Sequence, residues 1–281
     1  MSRIPFWVKV VTAATASLML FIYLSLMLVP SLELQRLAVR IIAPYGLTLT
    51  STSFGKTLPI GIRAKGFTLA TQTGAVLKFD RLTVKLRLLP LLIGRVILAC
   101  DAGVGPGTVE GELEITRKGR IEFSCQKVRL EDIPFFSTVA GAWAKGELRI
   151  KGDLHGRGSA SKGYLQIEAK QLDLREVRIS GTQLPDASYK TMQGMLRIAN
   201  GRTTLESVTL QGEGLYVRLS GDLPAGGNPA AMPLNLKLEL MPKAEFLESQ
   251  KFIFILLAKY MVTPGHYQLP IRGTLASPVL Q

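Results

Sequence analysis

The 281-residue chain has little of what active sites are usually built from: two cysteines, two histidines and 7% aromatic residues. Two Cys cannot frame a disulfide-rich scaffold or a four-thiolate zinc site. His155 sits at a strand end or turn in Leu154-His155-Gly156, and His266 follows Pro264-Gly265. Neither has a second ligand at useful spacing. The Ser in Gly156-Arg157-Gly158-Ser159-Ala160-Ser161 makes no nucleophile elbow, and the Gly-rich stretches 103–107 and 212–214 lack the Lys and helix start of a phosphate loop. Asp and Glu are scattered, with no pair isolated in an apolar context. The expectation is a protein that is not an enzyme and has no cofactor and no metal.

Long hydrophobic runs are also scarce. Only 10–29 is uncharged over a bilayer-spanning length, which excludes a multi-span transporter. Carboxylates are outnumbered, with 21 Asp and Glu against 34 Lys and Arg and a net charge of +13. Disorder is excluded by a hydrophobic fraction of 47% and a mean hydropathy of +0.24, because disorder needs low hydrophobicity and dense charge. A nucleic-acid partner is not expected, since the basic residues alternate with apolar ones along strands without interleaved aromatics. A basic exterior suits anionic lipid headgroups or acidic partners.

Residues 10–29 end in Leu28-Val29-Pro30-Ser31-Leu32 without an A-x-A-like cleavage site. That is the pattern of an uncleaved signal anchor, with Trp7 as an interfacial anchor. The expected organisation is a cytoplasmic N-terminus (1–9), a transmembrane anchor (10–29), an amphipathic helix (31–44) and a periplasmic β-domain (46–281) on the cell inner membrane of a diderm bacterium. In the helix, Leu34, Leu37, Ala38, Ile41 and Ile42 fall at helical spacing opposite Arg36 and Arg40, and Pro44-Tyr45-Gly46 stops it.

From Leu47 onward the period is two. Leu82, Val84, Leu86 and Leu88 alternate with Thr83, Lys85 and Arg87; Leu234, Leu236, Leu238 and Leu240 alternate with Asn235, Lys237 and Glu239. The same pattern recurs at 109–115, 147–154, 164–174, 195–198 and 215–219. Strands of this kind are buried on one face and wet on the other. Asn200-Gly201 is the strongest hairpin signal. On the order of 15 meander-connected strands are expected, and a sheet that wide tends to curl. The fold class is mainly β: a long curled antiparallel sheet with an apolar inner face. The stretch 132–144 reads as a short helix or lid. A largely apolar helix over 244–262, with Phe246, Phe252, Phe254 and Leu257, either covers the end of the sheet or docks a partner.

Cys100 and Cys125 fall in strands with one strand between them. Pairing in order would hold them about 9–10 Å apart, too far for a bridge. Curling or another register would be needed to join them, and their redox state stays open.

The order of segments resembles a known family. It is carried by the single N-terminal span, the amphipathic helix with Tyr45-Gly46-Leu47, then Leu58-Pro59-Ile60-Gly61-Ile62, Phe79-Asp80-Arg81-Leu82-Thr83-Val84 and Pro90-Leu91-Leu92-Ile93-Gly94-Arg95-Val96. This resembles the AsmA-like periplasmic proteins. The 141–152 unit and the ending Tyr267-Gln268-Leu269-Pro270-Ile271-Arg272-Gly273-Thr274-Leu275-Ala276-Ser277-Pro278 resemble one branch more closely, the type II secretion system protein N family. The resemblance implies an inner-membrane accessory of protein secretion, with other type II secretion components as partners. Related proteins with a lipid-binding groove imply a competing role. In that role an open sheet would line a phospholipid groove with Leu82, Leu86, Leu236 and Leu238; in a closed sheet the same residues are ordinary core.

Overall fold

The computed structural model describes Ser17 and residues 31–281, except 72–73, 116–118, 139–140, 157–159, 180, 201, 225–232, 275–277 and 281. The expected anchor at 10–29 lies outside the described residues apart from Ser17, as does 1–9. Among the described residues no helix is long and apolar enough to cross a membrane.

Helix α1 (Ser31–Ile42) runs into a 3-10 turn at Ala43–Tyr45. Gly46 closes it at φ 71°, a conformation glycine adopts without strain, and donates its N–H to the Ala43 carbonyl. The helix lies on the first strands. Gln35 Nε2 donates to Ser51 Oγ at 3.5 Å, and Ile42 packs against Leu49, Ala64 and Phe67.

The rest is mainly strand. In chain order come β1 (Thr48–Thr50), β2 (Ser53–Thr57), β3 (Gly61–Thr71), β4 (Gly74–Leu86), α2 (Leu88–Leu91), β5 (Ile97–Val104), β6 (Gly107–Glu114) and β7 (Arg120–Arg129). A 3-10 turn at Leu130–Asp132 is followed by α3 (Phe135–Thr138), a short helix within the stretch 132–144 expected to be a short helix or lid, whose last residues Trp143 and Ala144 already belong to the next strand. Then follow β8 (Trp143–His155), β9 (Lys162–Arg175), β10 (Arg178–Ile179), β11 (Thr182–Gln183), β12 (Ala187–Ala199), β13 (Arg202–Gly212), β14 (Leu215–Pro224) and β15 (Asn235–Pro242). The chain ends with α4 (Ala244–Ser249), α5 (Lys251–Leu256), a 3-10 turn at Ala258–Tyr260, β16 (Met261–Thr263), β17 (His266–Gly273) and β18 (Pro278–Leu280).

All strands but the β10–β11 hairpin form one sixteen-stranded antiparallel sheet, ordered β1-β3-β4-β5-β6-β7-β8-β9-β12-β13-β14-β15-β17-β16. β2 pairs with β3, and β18 pairs with β17. Each edge is therefore two short strands in place of one long one. β12 and β13 pair as far as Ala199 opposite Arg202, and Asn200 lies at φ 52°; Gly201 of the expected hairpin turn lies outside the described residues.

Bulges keep the apolar side facing inward. Lys127 (φ 55°) in β7 and Gln171 (φ 52°) in β9 take left-handed conformations, with Gly146 opposite Gln171 in β8. Each bulge resets the alternation, so that Ala169 and Leu172, three apart, are both buried. The main core gathers residues from β8 to β17 beneath a roof made by Leu130, Ile133 and Phe136 on one side and Phe254, Leu257 and Tyr260 on the other. The β10–β11 hairpin reaches β18, and Gln250 Nε2 donates to the Asp186 carbonyl at 2.9 Å. These strands wrap one shared core.

The single helix expected over 244–262 is two short helices broken at Gln250, where the backbone leaves helical geometry (φ −118°, ψ 30°). The break lets two apolar stripes meet the core from different directions. Leu257, wholly buried, carries much of that seam. Leu257→Ala should lower stability by about 2–5 kcal/mol in urea unfolding, the usual cost of truncating a buried leucine. Phe252→Ala, one turn away on the exposed side, should change it by less than about 0.5 kcal/mol.

Candidate functional site: the apolar inner face

The registers line up inward-facing residues across the sheet. Leu82 stands opposite Ala102, then Val109, Cys125, Ile150, Ile167, Gly194, Val208, Leu219, Leu238 and Leu269, one residue from each successive strand. The next row begins at Val84 and ends at Leu236 and Ile271, passing through Cys100, Gly111, Phe123, Gly152, Leu165, Leu196, Leu205 and Gly221. A third runs from Leu86 through Leu98, Leu113, Ile121, Leu154, Gly163, Ile198 and Thr203 to Leu223. None of the three rows carries a charged side chain. Thr203 and the two thiols are their polar groups. From β4 to β17 the rows extend about 48 Å at ~4.8 Å per strand.

Glycines make this floor uneven. A Cβ on Gly152 would sit 2.3 Å from the Phe123 ring, so the ring lies flat across the neighbouring strand because that position has no side chain.

The four leucines expected to line a groove all fall on this face. Leu82 and Leu238 belong to one row, far apart along it, while Leu86 and Leu236 belong to two others. They do not form one local pocket. Leu238 is buried in the roofed core, and Leu82 packs with the Leu49–Phe67 cluster. Burial falls along the strands. Under the roof, Leu148, Ala169, Leu210, Val217 and Leu240 are buried. In the third row, Leu113 and Ile121 are 38% and 41% exposed, and Ile115 beyond them is 45% exposed. Among the described residues nothing roofs this end of β6 and β7.

The second expected site, the docking helix, needs a correction. Phe254 and Leu257 are buried, and Phe246 packs edge-on against Phe254 at 6.2 Å. These three bolt α4 and α5 to the sheet and are not available to a partner. Phe252 is 86% exposed, and it is joined by Ile255, Leu256, Met261 and Val262. Sequence reasoning missed these last four because it treated the stretch as one helix. The β4–β5 connection, with Leu89, Leu92 and Ile93 exposed, was missed as a surface too; the run Leu88-Leu89-Pro90-Leu91-Leu92-Ile93 was its signal.

The outer face is charged and cross-paired. Arg95 Nη2 lies 2.7 Å from Glu114, Arg120 Nη2 3.0 Å from Asp153, Arg175 Nη2 3.0 Å from Asp173, Arg197 Nε 2.7 Å from Glu206 and Lys237 Nζ 2.8 Å from Glu239. The hydrogen bond from Arg120 holds the Asp153 carboxyl below the usual carboxylate range. Hydrogen bonding to Lys237 does the same for Glu239. His155 Nε2 contacts Asp153 at 3.0 Å. No group of three His, Cys, Asp or Glu among the described residues is placed to hold a metal.

Cys100 and Cys125 are free thiols. Cys100 is opposite Gly111, and Cys125 is opposite Val109, so they differ by two strands and by one row. Burial pushes both thiols up from their ordinary pKa, which keeps them protonated and unreactive at neutral pH. The unfolded chain should take up two maleimide groups without prior reduction. A count of zero would mean a bridge, and with it a different strand register.

Comparison with family models, with curated proteins and with solved structures finds no match to this chain. The functional reading therefore rests on these surfaces and on the sequence resemblance alone.

Proposed function

We propose that the chain is a non-enzymatic, inner-membrane-anchored component of the type II protein secretion system. In this reading residues 10–29 hold it in the membrane, and the AsmA-like sheet, curled in the periplasm, works through protein–protein contacts. The observation that carries the proposal is the C-terminal knob. Phe252, Ile255, Leu256, Met261 and Val262 are 48% to 86% exposed, on a segment whose other side is fixed by Phe254, Leu257 and Tyr260. Five large apolar side chains held out rigidly lose little entropy on docking, and exposed apolar patches of this kind mark interaction sites. The sheet edges are weaker candidates, since β16 and β18 are three residues each and short edges limit strand addition.

Photo-reactive residues at Lys251 and Ile255 in cells should crosslink to other secretion components. The triple variant Phe252→Ser, Ile255→Ser, Leu256→Ser should lose those adducts while keeping its thermal midpoint within about 3 °C, because each site is exposed. Unaltered adducts in that variant would remove the knob from the proposal, and a host without secretion machinery would end it.

A second reading is favoured by the unroofed end of the inner face: an AsmA-like lipid-binding or lipid-transfer module of the envelope. An acyl chain laid along Leu113 and Ile121 would exchange water for apolar contact at ~25 cal/mol per Å². A photo-activatable phospholipid should then label β6 and β7, and Leu113→Lys with Ile121→Lys should abolish labelling without unfolding the sheet. Labelling that survives both lysines would reject this groove.

A further inference from the structure

The positive charge is unevenly distributed. Residues 1–104 hold 12 of the 34 Lys and Arg but only 3 of the 21 Asp and Glu, and so carry +9 of the net +13. The structure concentrates part of this on one surface. Arg63 and Lys65 of β3 and Arg81 and Lys85 of β4 occupy the outer face, all exposed. Lys65 stands directly opposite Arg81, and Arg63 stands opposite Thr83. Like charges paired across strands destabilise a sheet. From β5 onward the outer face mixes both signs: Asp101 stands opposite Glu110 and Glu122 opposite Glu112 and Asp153, while Glu114 stands opposite Arg120 and Arg149 opposite Glu168. Here the one partner is Asp101, 3.9 Å from Arg81. Among the described residues Arg63, Lys65 and Lys85 form no ion pair. A depression of about 480 Å³ lies between Arg63, Arg81, Thr83, Lys85 and Asp101, wide enough for a phosphate-sized group.

The position of the patch says what neutralises it. β3 and β4 lie beside the β1 edge, where the chain enters the sheet from α1 and the apolar run 10–29. We propose that the outer face of β3 and β4 is a docking surface for anionic phospholipid headgroups of the membrane that holds this anchor. Arg63, Lys65, Arg81 and Lys85 meet the headgroup phosphates, and the anchored end of the sheet lies against the bilayer. The Lys65–Arg81 repulsion, only partly offset by Asp101 at 3.9 Å from Arg81, is then a cost of the free surface that the membrane removes. The proposal rests on 10–29 lying in a bilayer and is independent of which partner the C-terminal knob meets.

The test uses the full chain in nanodiscs of phosphatidylcholine alone or with phosphatidylglycerol. A benzoylphenylalanine replaces Ser53, which is exposed and opposite Lys65, or, as a control, Gln193 on the outer face of β12. Lipid adducts at Ser53 should rise at least fivefold with phosphatidylglycerol, fall as salt is raised, and stay at background at Gln193. The variant Arg63→Glu, Lys65→Glu should reduce Ser53 adducts to that background. Its thermal midpoint should be unchanged or higher, because a carboxylate opposite Arg81 replaces repulsion with attraction. Ser53 adducts no higher than those at Gln193, or insensitive to phosphatidylglycerol and salt, would overturn the proposal. Adducts in cells to an acidic protein in place of lipid would overturn it too. Failure of the chain to enter nanodiscs would remove the anchor and the proposal together, whereas an inserted chain without Ser53 adducts would remove only the proposal.

Discussion

A wide antiparallel sheet whose inward rows are apolar, but for one threonine and two thiols, has to cover that face. Hydrogen bonding completes the strands within the sheet, but it leaves Leu, Ile and Val side chains facing water along the whole inner side. Most of the remaining structure answers this demand. The Leu130 turn and α3 cover the face from one side, and α4 and α5 cover it from the other. The β10–β11 arm reaches β18, and the bulges at Lys127, Gly146 and Gln171 turn the strands so that these covers meet one core. At β6 and β7 the covering stops among the described residues, and apolar side chains remain part-exposed.

The two outer surfaces of interest arise from different imbalances. Over most of the sheet, cations and carboxylates are interspersed, and their exposed ion pairs contribute little to stability individually. At β3 and β4 the match fails in favour of positive charge. At the other end of the strand order, α5 and β16 have more apolar surface than the core can take up. The core uses Phe254, Leu257 and Tyr260, and Phe252, Ile255 and Leu256 are left outside. One end is thus suited to an anionic surface and the other to an apolar one.

Both functional readings use the same division. A rigid knob at the opposite end of the strand order from α1 suits contact with a protein partner. An apolar floor without charge suits acyl chains. The knob is the better-defined of the two because its geometry is fixed on three sides by buried aromatic and aliphatic contacts, including the Phe254–Tyr267 pair at 5.2 Å.

The strands were legible because their cause is local: period-two alternation at 82–86, 164–169 and 235–240 places side chains on opposite faces whatever the partner strand is, whereas Leu88 falls in α2 and the bulge at Gln171 breaks the alternation expected to run to 174. The left-handed Asn200 and the Gly46 helix stop were legible for the same reason, since φ preferences belong to single residues. The alternation also assigned Leu82, Leu86, Leu236 and Leu238 to one face. Alternation carries no register, however, so it could not show that Leu82 and Leu238 share one row while Cys100 and Cys125 sit in different ones. Composition alone did not reveal the break at Gln250, because a continuous apolar stretch is compatible with one helix or two. Which of Phe252 and Phe254 faces the core was decided by where the sheet ended and which direction its last strands left open. Sequence determined which residues alternate; the long-range pairing of strands, set by burial of a shared core, decided which of them meet and which stay exposed.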